Sequence, residues 1–352
     1  MNDGAALAAL RTWLVSGETP RPTSGQEARE IVAMARDQGV AGLLHSALKV
    51  RGGVFHEAAA DDLHGFHLGT LVMGVQQLEA ARRVLALLEQ QGLRALPMKG
   101  AALAESIYDS VGDRPMDDVD VLVLDDFHEA ARALVVAGFS LRTKADHAWA
   151  LADPVWGCTV ELHLSPSSCP GFFPMDAEGL WTRSRVATGQ IARLPATEDL
   201  LVQLGIHAAF QHGLQLRLVQ YLDFRHLLDR ASIDDGRLLD AARRAKAVAA
   251  LAMSLRAAEV LVGASVPDAF RDSKALLSAR QSAWLERRLE SPLLLVSPGP
   301  SALASARYHL AEDRRVELVR GTLRPRGETA GLAGILAGGR RALSLAYRLA
   351  FG

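Results

Sequence analysis

The chain has 352 residues, 49% of them apolar and only 5% aromatic, with 39 basic side chains against 40 acidic ones and a formal net charge of −1. That balance excludes capture of nucleic acid or anionic membrane by a global field, and the length allows two or three packed units. The two cysteines, Cys158 and Cys169, exclude a disulfide framework and fit a reducing compartment. With no basic-then-apolar leader and no run of roughly 18 apolar residues, the expected location is the cytoplasm.

Residues 1–92 read as helical, with helical spacing of apolar residues through Ala5–Val15, Glu27–Leu48 and His56–Gln91. The last run offers Leu63, Phe66, Val72, Val75, Leu78, Val84, Leu85 and Leu88 for burial, and Gly92 ends it. The pattern then shortens. Arg94–Met98 is apolar, Ala101–Tyr108 is helical, and Asp117–Leu124 alternates as a half-buried strand does. Phe127–Ala137 is a helix closed by Gly138, Phe139–Arg142 reads as a strand, and Thr159–Leu164 alternates again. This order predicts a compact α+β unit. A loop from Ser165 to Pro174 and a short strand near Gln190–Leu194 lead to helices at Glu198–Phe210, Leu216–Asp229, Gly236–Ala245, Ala247–Leu261 and Ala275–Leu289. Ser297-Pro298-Gly299-Pro300 is a break. The expected divisions are 1–92, 93–165, a connector 166–196, a helical domain 197–296 and a tail 297–352.

The sharpest chemical signal is Asp118-Val119-Asp120. On a strand the two carboxylates share a face, while Val119, Val121 and Val123 enter the opposite layer. Side by side they repel, and a hard divalent cation such as magnesium removes that cost. Glu161, in Val160-Glu161-Leu162-His163, is the natural third ligand. Taken alone, such carboxylates also occur in water at strand ends or paired with arginines. Upstream, Lys99-Gly100-Ala101 places a glycine between a short strand and a helix, where backbone amides attract phosphate; Lys99 and Arg114 add positive charge.

Lys99-Gly100-Ala101-Ala102-Leu103, Tyr108, Arg114, Asp118-Val119-Asp120-Val121-Leu122-Val123, Gly138-Phe139 and Val160-Glu161-Leu162-His163 together resemble the uncharacterised nucleotidyltransferase family, within the DNA polymerase beta-like superfamily. The resemblance extends over roughly residues 60–230, weakly so at Glu198-Asp199, His207 and Asp223. It implies a small mixed-sheet core flanked by N-terminal helices and a C-terminal helical domain. It also implies two magnesium ions on Asp118, Asp120 and Glu161, and nucleotide held at Lys99, Gly100, Ala101 and Arg114. Apart from the resemblance, His163 is expected either to orient the acceptor or to make a structural hydrogen bond, and His207 and Asp223 are candidates for the acceptor side of the cleft. The implied reaction moves a nucleoside monophosphate from an NTP to a small molecule, peptide or protein, and the neutral net charge argues against a long nucleic-acid acceptor. The superfamily's usual second Gly or Ser stands here as Ala101 and its usual third aspartate as Glu161. The alternative is therefore a catalytically inactive nucleotide-binding or scaffolding protein of the same fold.

Other features carry less. Cys158, His163 and Cys169 fit no zinc ligand spacing. Asp61, His64 and His67 share a helix face, expected to be solvated rather than metal-binding. His207 and His212, five apart, are expected on different helix faces, and Tyr108 and Trp149 as packing residues. The basic amphipathic stretch Gly339–Leu349 suits either docking on the protein's own helices or peripheral membrane contact.

Overall fold

A computed structural model describes residues 3–51, 55–145, 147–187, 191, 193–290, 295, 300–314 and 317–318. The basic stretch Gly339–Leu349 lies outside them. Four helices precede the first strand: α1 (Asp3–Ser16), α2 (Gly25–Asp37), α3 (Ala41–Arg51) and α4 (Glu57–Gln90). Ser24 caps α2 through the Glu27 amide, and the Glu27 carboxylate accepts the Thr23 amide at 2.7 Å. The continuous helix expected over Glu27–Leu48 is broken at Gly39, whose φ is +70°. A Cβ there would lie 2.7 Å from Val219 Cγ1, so the bend doubles as a seat for a later helix.

Along α4, Leu63, Leu78, Val84 and Leu88 are buried as expected, but Val72 and Val75 are 56% and 53% exposed. The inward face of that stretch carries small residues instead. Gly74 admits Val111, and Ala80 and Ala81 are fully buried, so the valines turn to solvent.

The five-stranded sheet has the order β1-β2-β5-β4-β3, built from β1 (Ala95–Pro97), β2 (Val119–Val123), β3 (Ser140–Lys144), β4 (Ala148–Ala152) and β5 (Thr159–His163). β2 and β5 run parallel and the other neighbours antiparallel, a mixed sheet. Two helices lie within this span: α5 (Lys99–Leu103) and α6 (Phe127–Val136). Val119, Val121, Val160 and Leu162 join one buried apolar cluster with α4 and α6. Leu96, Met98 and Leu122 form a small cluster of their own with Leu180. Strand β4 was not legible, because Ala148-Trp149-Ala150-Leu151-Ala152 has small residues where alternation needs contrast. The helix expected over Ala101–Tyr108 ends at Leu103; the Ser106 hydroxyl then donates to the Ala102 carbonyl at 2.6 Å, competing with the helical ladder.

After α7 (Ala177–Arg183) and the two-stranded β6 (Arg185–Val186) and β7 (Arg193–Leu194) come α8 (Thr197–Ile206), a π-helical turn His207–Gln211, α9 (Leu218–Arg230), α10 (Asp235–Arg244) and α11 (Val248–Val262). Two short helices follow, α12 (Asp268–Arg271) and α13 (Ser273–Leu276). The helix expected over Ala275–Leu289 is divided, with α14 (Ala279–Glu290) starting anew. Ser278 Oγ accepts the Gln281 amide and Gln281 Oε1 accepts the Ser278 amide, a reciprocal cap that opens a helix there. The last described long helix, α15 (Pro300–Ala311), begins at a proline, which suits a first helical position. The main apolar cluster runs without interruption from α1 through the sheet to α14 and α15. Among the described residues no helix is long and apolar enough to cross a membrane.

Candidate active site

The β2–β5 register sets Asp120 directly across from Glu161. Paired positions on adjacent strands share a face, so the two carboxylates meet. Asp118 lies just before β2, half-buried, and reaches the same cleft. Asp120 is buried, and one of its oxygens is the hub of the site. Lys99 Nζ donates to Oδ1 at 2.6 Å, and His163 Nε2 lies 2.7 Å from that atom and 3.5 Å from Glu161 Oε2. Among the described residues, Asp120, Glu161 and His163 are the group whose ligand atoms all fall within 4.8 Å of one another. His163, expected on the acceptor side, thus sits inside the carboxylate cluster.

These contacts divide the acids electrostatically. Burial disfavours charge on Asp120, but Lys99 and His163 overcome it and hold its carboxyl well below the usual range. Burial and the charge of Asp120 push Asp118 up to about 6. Glu161 is lowered by its hydrogen bond with His163. His163 is raised in spite of burial, because Asp120 and Glu161 both favour the imidazolium.

Residues from α5, the β2 approach and α9 enclose a cavity of about 210 Å³ lined by Lys99, Gly100, Arg114, Asp118, Asp120, His207, His212, Arg217, Gln220, Asp223 and Phe224, among others. Lys99 adopts φ +45°, left-handed for a non-glycine residue, at the step from β1 into α5. Such strain persists only where neighbours hold it, and here the ion pair with Asp120 does so. At Gly100 a Cβ would fall 2.6 Å from Arg114 Nη1 and 3.0 Å from Met116 Cγ. Gly100→Ala is accordingly expected to displace a guanidinium that cannot yield freely, costing about 1–3 kcal/mol by overpacking. Thermal melting checks this, and a wild-type melting temperature would mean that Arg114 moves without cost.

Arg114 and Asp223 meet each other. Arg114 Nε and Nη2 donate to the two Asp223 oxygens at 2.9 and 2.7 Å, and the Tyr108 hydroxyl donates to Asp223 Oδ1 at 2.8 Å. Tyr108 therefore has a polar task beyond packing. Ala101 is turned away from the cleft and lines a separate cavity with Ala102 and Glu105.

The expectation that His207 and His212 are unrelated is overturned: their ring centroids are 4.5 Å apart. The His212 amide donates to the His207 carbonyl, an i→i+5 bond that widens the turn and brings residues five apart to one side. Burial, with Lys99 and His212 nearby, holds His207 well below its ordinary value, as a neutral imidazole. Arg217, Gln220 and Phe224 were not singled out from sequence, and His212 was not placed at the site. The spacing of Arg217, Gln220 and Phe224 on one face of α9 was the available signal. Arg217 also donates to Asp117 at 2.6 Å across the mouth of the cleft.

A family model described as "Uncharacterised nucleotidyltransferase" matches residues 24–263, well over half of the chain and every residue named at the cleft. No curated protein and no solved structure matches the chain.

Proposed function

The chain belongs to the uncharacterised nucleotidyltransferase family, and on that premise we propose that it moves a nucleoside monophosphate from an NTP to a hydroxyl or similar group of a small molecule, peptide or protein, with release of pyrophosphate and dependence on magnesium. The observation that supports this most is Asp120 paired across the strands with Glu161, with Asp118 two residues away in one cleft. The donor set suits a hard cation. It is rich in carboxylate oxygens, and the raised Asp118 carboxyl is a charge still short of a partner.

Asp118, Asp120 and Glu161 would hold the metal, which when bound neutralises phosphate charge and acidifies the acceptor hydroxyl. The other parts are the chain's own. Lys99 stays charged through Asp120 and brings a cation beside the Gly100 backbone. Arg114, fixed by Asp223, presents its remaining Nη1 toward Gly100 and so toward the phosphates. Glu161, 31% exposed and kept ionised by His163, is the group able to accept the acceptor's proton. Neutral His207 lines the acceptor side, while Asp223 acts through Arg114 as a positioning residue.

A second reading, a nucleotide-binding or scaffolding protein without turnover, draws on one observation: Lys99 and His163 already match the Asp120 charge. Binding of each NTP with and without magnesium, alongside pyrophosphate release, separates the two. Magnesium-dependent binding with release is expected; binding without release favours nucleotide binding without turnover, and no binding by folded protein removes the transferase reading and leaves the scaffold. Manganese binding without nucleotide is expected to weaken about tenfold per pH unit below about 6, where Asp118 takes up a proton, and to level off above it. Affinity that does not change through that range would detach Asp118 from the metal.

A further inference from the structure

Away from the cleft, α3 and α4 bring three histidines together. His45 comes from α3, and His64 and His67 from successive turns of α4. His64 Nδ1 lies 3.5 Å from His45 Nε2, and the His45 ring stacks on His67 with centroids 4.8 Å apart. Behind His67 stands Asp113, whose Oδ1 is 3.6 Å from His67 Nδ1 and accepts the Ser46 hydroxyl at 2.6 Å. The face expected to be solvated is thus half closed: His64 is exposed, but the His67 side chain is only 14% exposed. Residue 112 is a glycine at the point of closest approach, where a Cβ would fall 2.8 Å from His67 Cε1.

His45 and His64 bring one ring nitrogen each together, where a shared proton or a cation is needed between them, and His67 lies against the face of the His45 ring. The buried Nδ1 of His67 makes no hydrogen bond of normal length. Burial, reinforced by His67, His64 and Lys49, keeps His45 below its ordinary value and so in the neutral form that ligates metals. Zinc takes imidazole nitrogens at about 2.0–2.1 Å in tetrahedral geometry, which sets two ligands of one ion roughly 3.3–3.4 Å apart. The His45–His64 separation is close to that. Asp113 faces His67 Nδ1 from 3.6 Å, beyond hydrogen-bond length but on the side from which a carboxylate orients a metal-binding imidazole.

We propose that His45, His64 and His67 form a second metal site, for a zinc-class transition ion, with Asp113 orienting His67 and solvent completing the coordination beside exposed His64. The three ligand atoms are less tightly gathered than those of Asp120, Glu161 and His163, so binding turns at least one ring about its side-chain bonds. The bound ion ties α3 to α4 at the 3₁₀ turn Val111–Asp113, which continues into Arg114 and Asp118. It therefore steadies the approach to β2 from behind.

The test is titration of the full chain with cobalt(II), a coloured stand-in for zinc, under excess magnesium that occupies hard oxygen sites. The expected result is one cobalt per chain with tetrahedral absorption. Binding should be at least about tenfold weaker in His64→Gln and His67→Gln and unchanged in Asp120→Asn. Zinc should raise the melting temperature of wild type and not of His64→Gln, a helix-surface change that leaves the fold intact. Absence of cobalt binding overturns the proposal. So does binding that survives His64→Gln, or binding that disappears with Asp120→Asn.

Discussion

Asp118→Asn is expected to lower kcat/KM by roughly a thousandfold or more while leaving the melting temperature unchanged or higher, whereas Asp120→Asn loses both activity and stability. The two carboxylates are two residues apart, yet their surroundings give them opposite signs. Asp118 makes no hydrogen bond or ion pair of its own among the described residues, and burial beside Asp120 raises it to about 6. A carboxyl raised in the folded state binds its proton more tightly there than in the unfolded chain, so stability falls as pH rises from about 4 to about 6. Above that window the ionised group burdens the fold, and the uncharged amide of Asn relieves it.

Asp120 is lowered, so its ionised form supports the fold above the ordinary carboxylate range and the support is lost only in strong acid. Its replacement leaves Lys99 and His163 facing a neutral amide. The cost is about 2–4 kcal/mol, below the full value of a broken buried pair because Lys99 is 21% exposed. Calorimetry at pH 7.5 and pyrophosphate release measure both halves. Wild-type turnover in Asp118→Asn sinks the catalytic assignment, and a loss of stability equal to that of Asp120→Asn sinks the electrostatic one.

The difference between these aspartates also marks how far sequence carried the site. Alternation through Val119, Val121 and Val123 was enough to predict a strand with its acids on the opposite face, and the valines are buried as that pattern requires. Alternation through Val160 and Leu162 added Glu161 on the same grounds, and strand register sets it across from Asp120. Pairwise contacts were not legible. Nothing in the order of residues says that Lys99 and His163 converge on one oxygen, since that depends on β1, β2 and β5 lying side by side in space. The His207–His212 pairing was hidden for a local reason: a regular 3.6-residue period separates them, and only a wide turn unites them.

The helices follow the same division. Those with strong apolar spacing, such as α6, α9 and α11, lie within a few residues of their expected limits. The misreadings fall where a single residue or a tertiary contact overrides periodicity. Gly39 breaks α2 from α3 because α9 packs into the bend, and Ser278 opens a new helix because Gln281 closes the cap. The inward face of α4 was misread at Val72 and Val75, because the glycine and alanines that admit neighbours there look indifferent in a hydrophobicity pattern.

Asp223→Ala is expected to produce the largest loss of stability of any single change near the cleft, about 3–5 kcal/mol. Asp223 is 1% exposed, takes both oxygens of its carboxylate to Arg114, and also accepts from Tyr108. Removing it strands a buried guanidinium and a buried phenol. Nearby His226 offers no compensation, because burial and Arg230 push it down to about 4 and leave it neutral. Arg114→Lys is expected to fall short as well, since an ammonium cannot reproduce the two-pronged contact.

A fold defect alone would leave the role of Arg114 open, so the decisive variant is double. Arg114→Met with Asp223→Leu replaces the pair by apolar groups of similar bulk. It is expected to recover at least about 2 kcal/mol relative to the sum of the single changes, because neither charge is then left buried alone. Melting temperatures of the four proteins give that coupling, and NTP affinity supplies the second axis. A double variant that folds but binds NTP at least tenfold more weakly assigns Arg114 to the phosphates, with Asp223 as the residue that aims it. A double variant that folds and binds like wild type reduces the pair to a clamp between the β2 approach and α9, and leaves phosphate recognition to Lys99 and the Gly100 backbone.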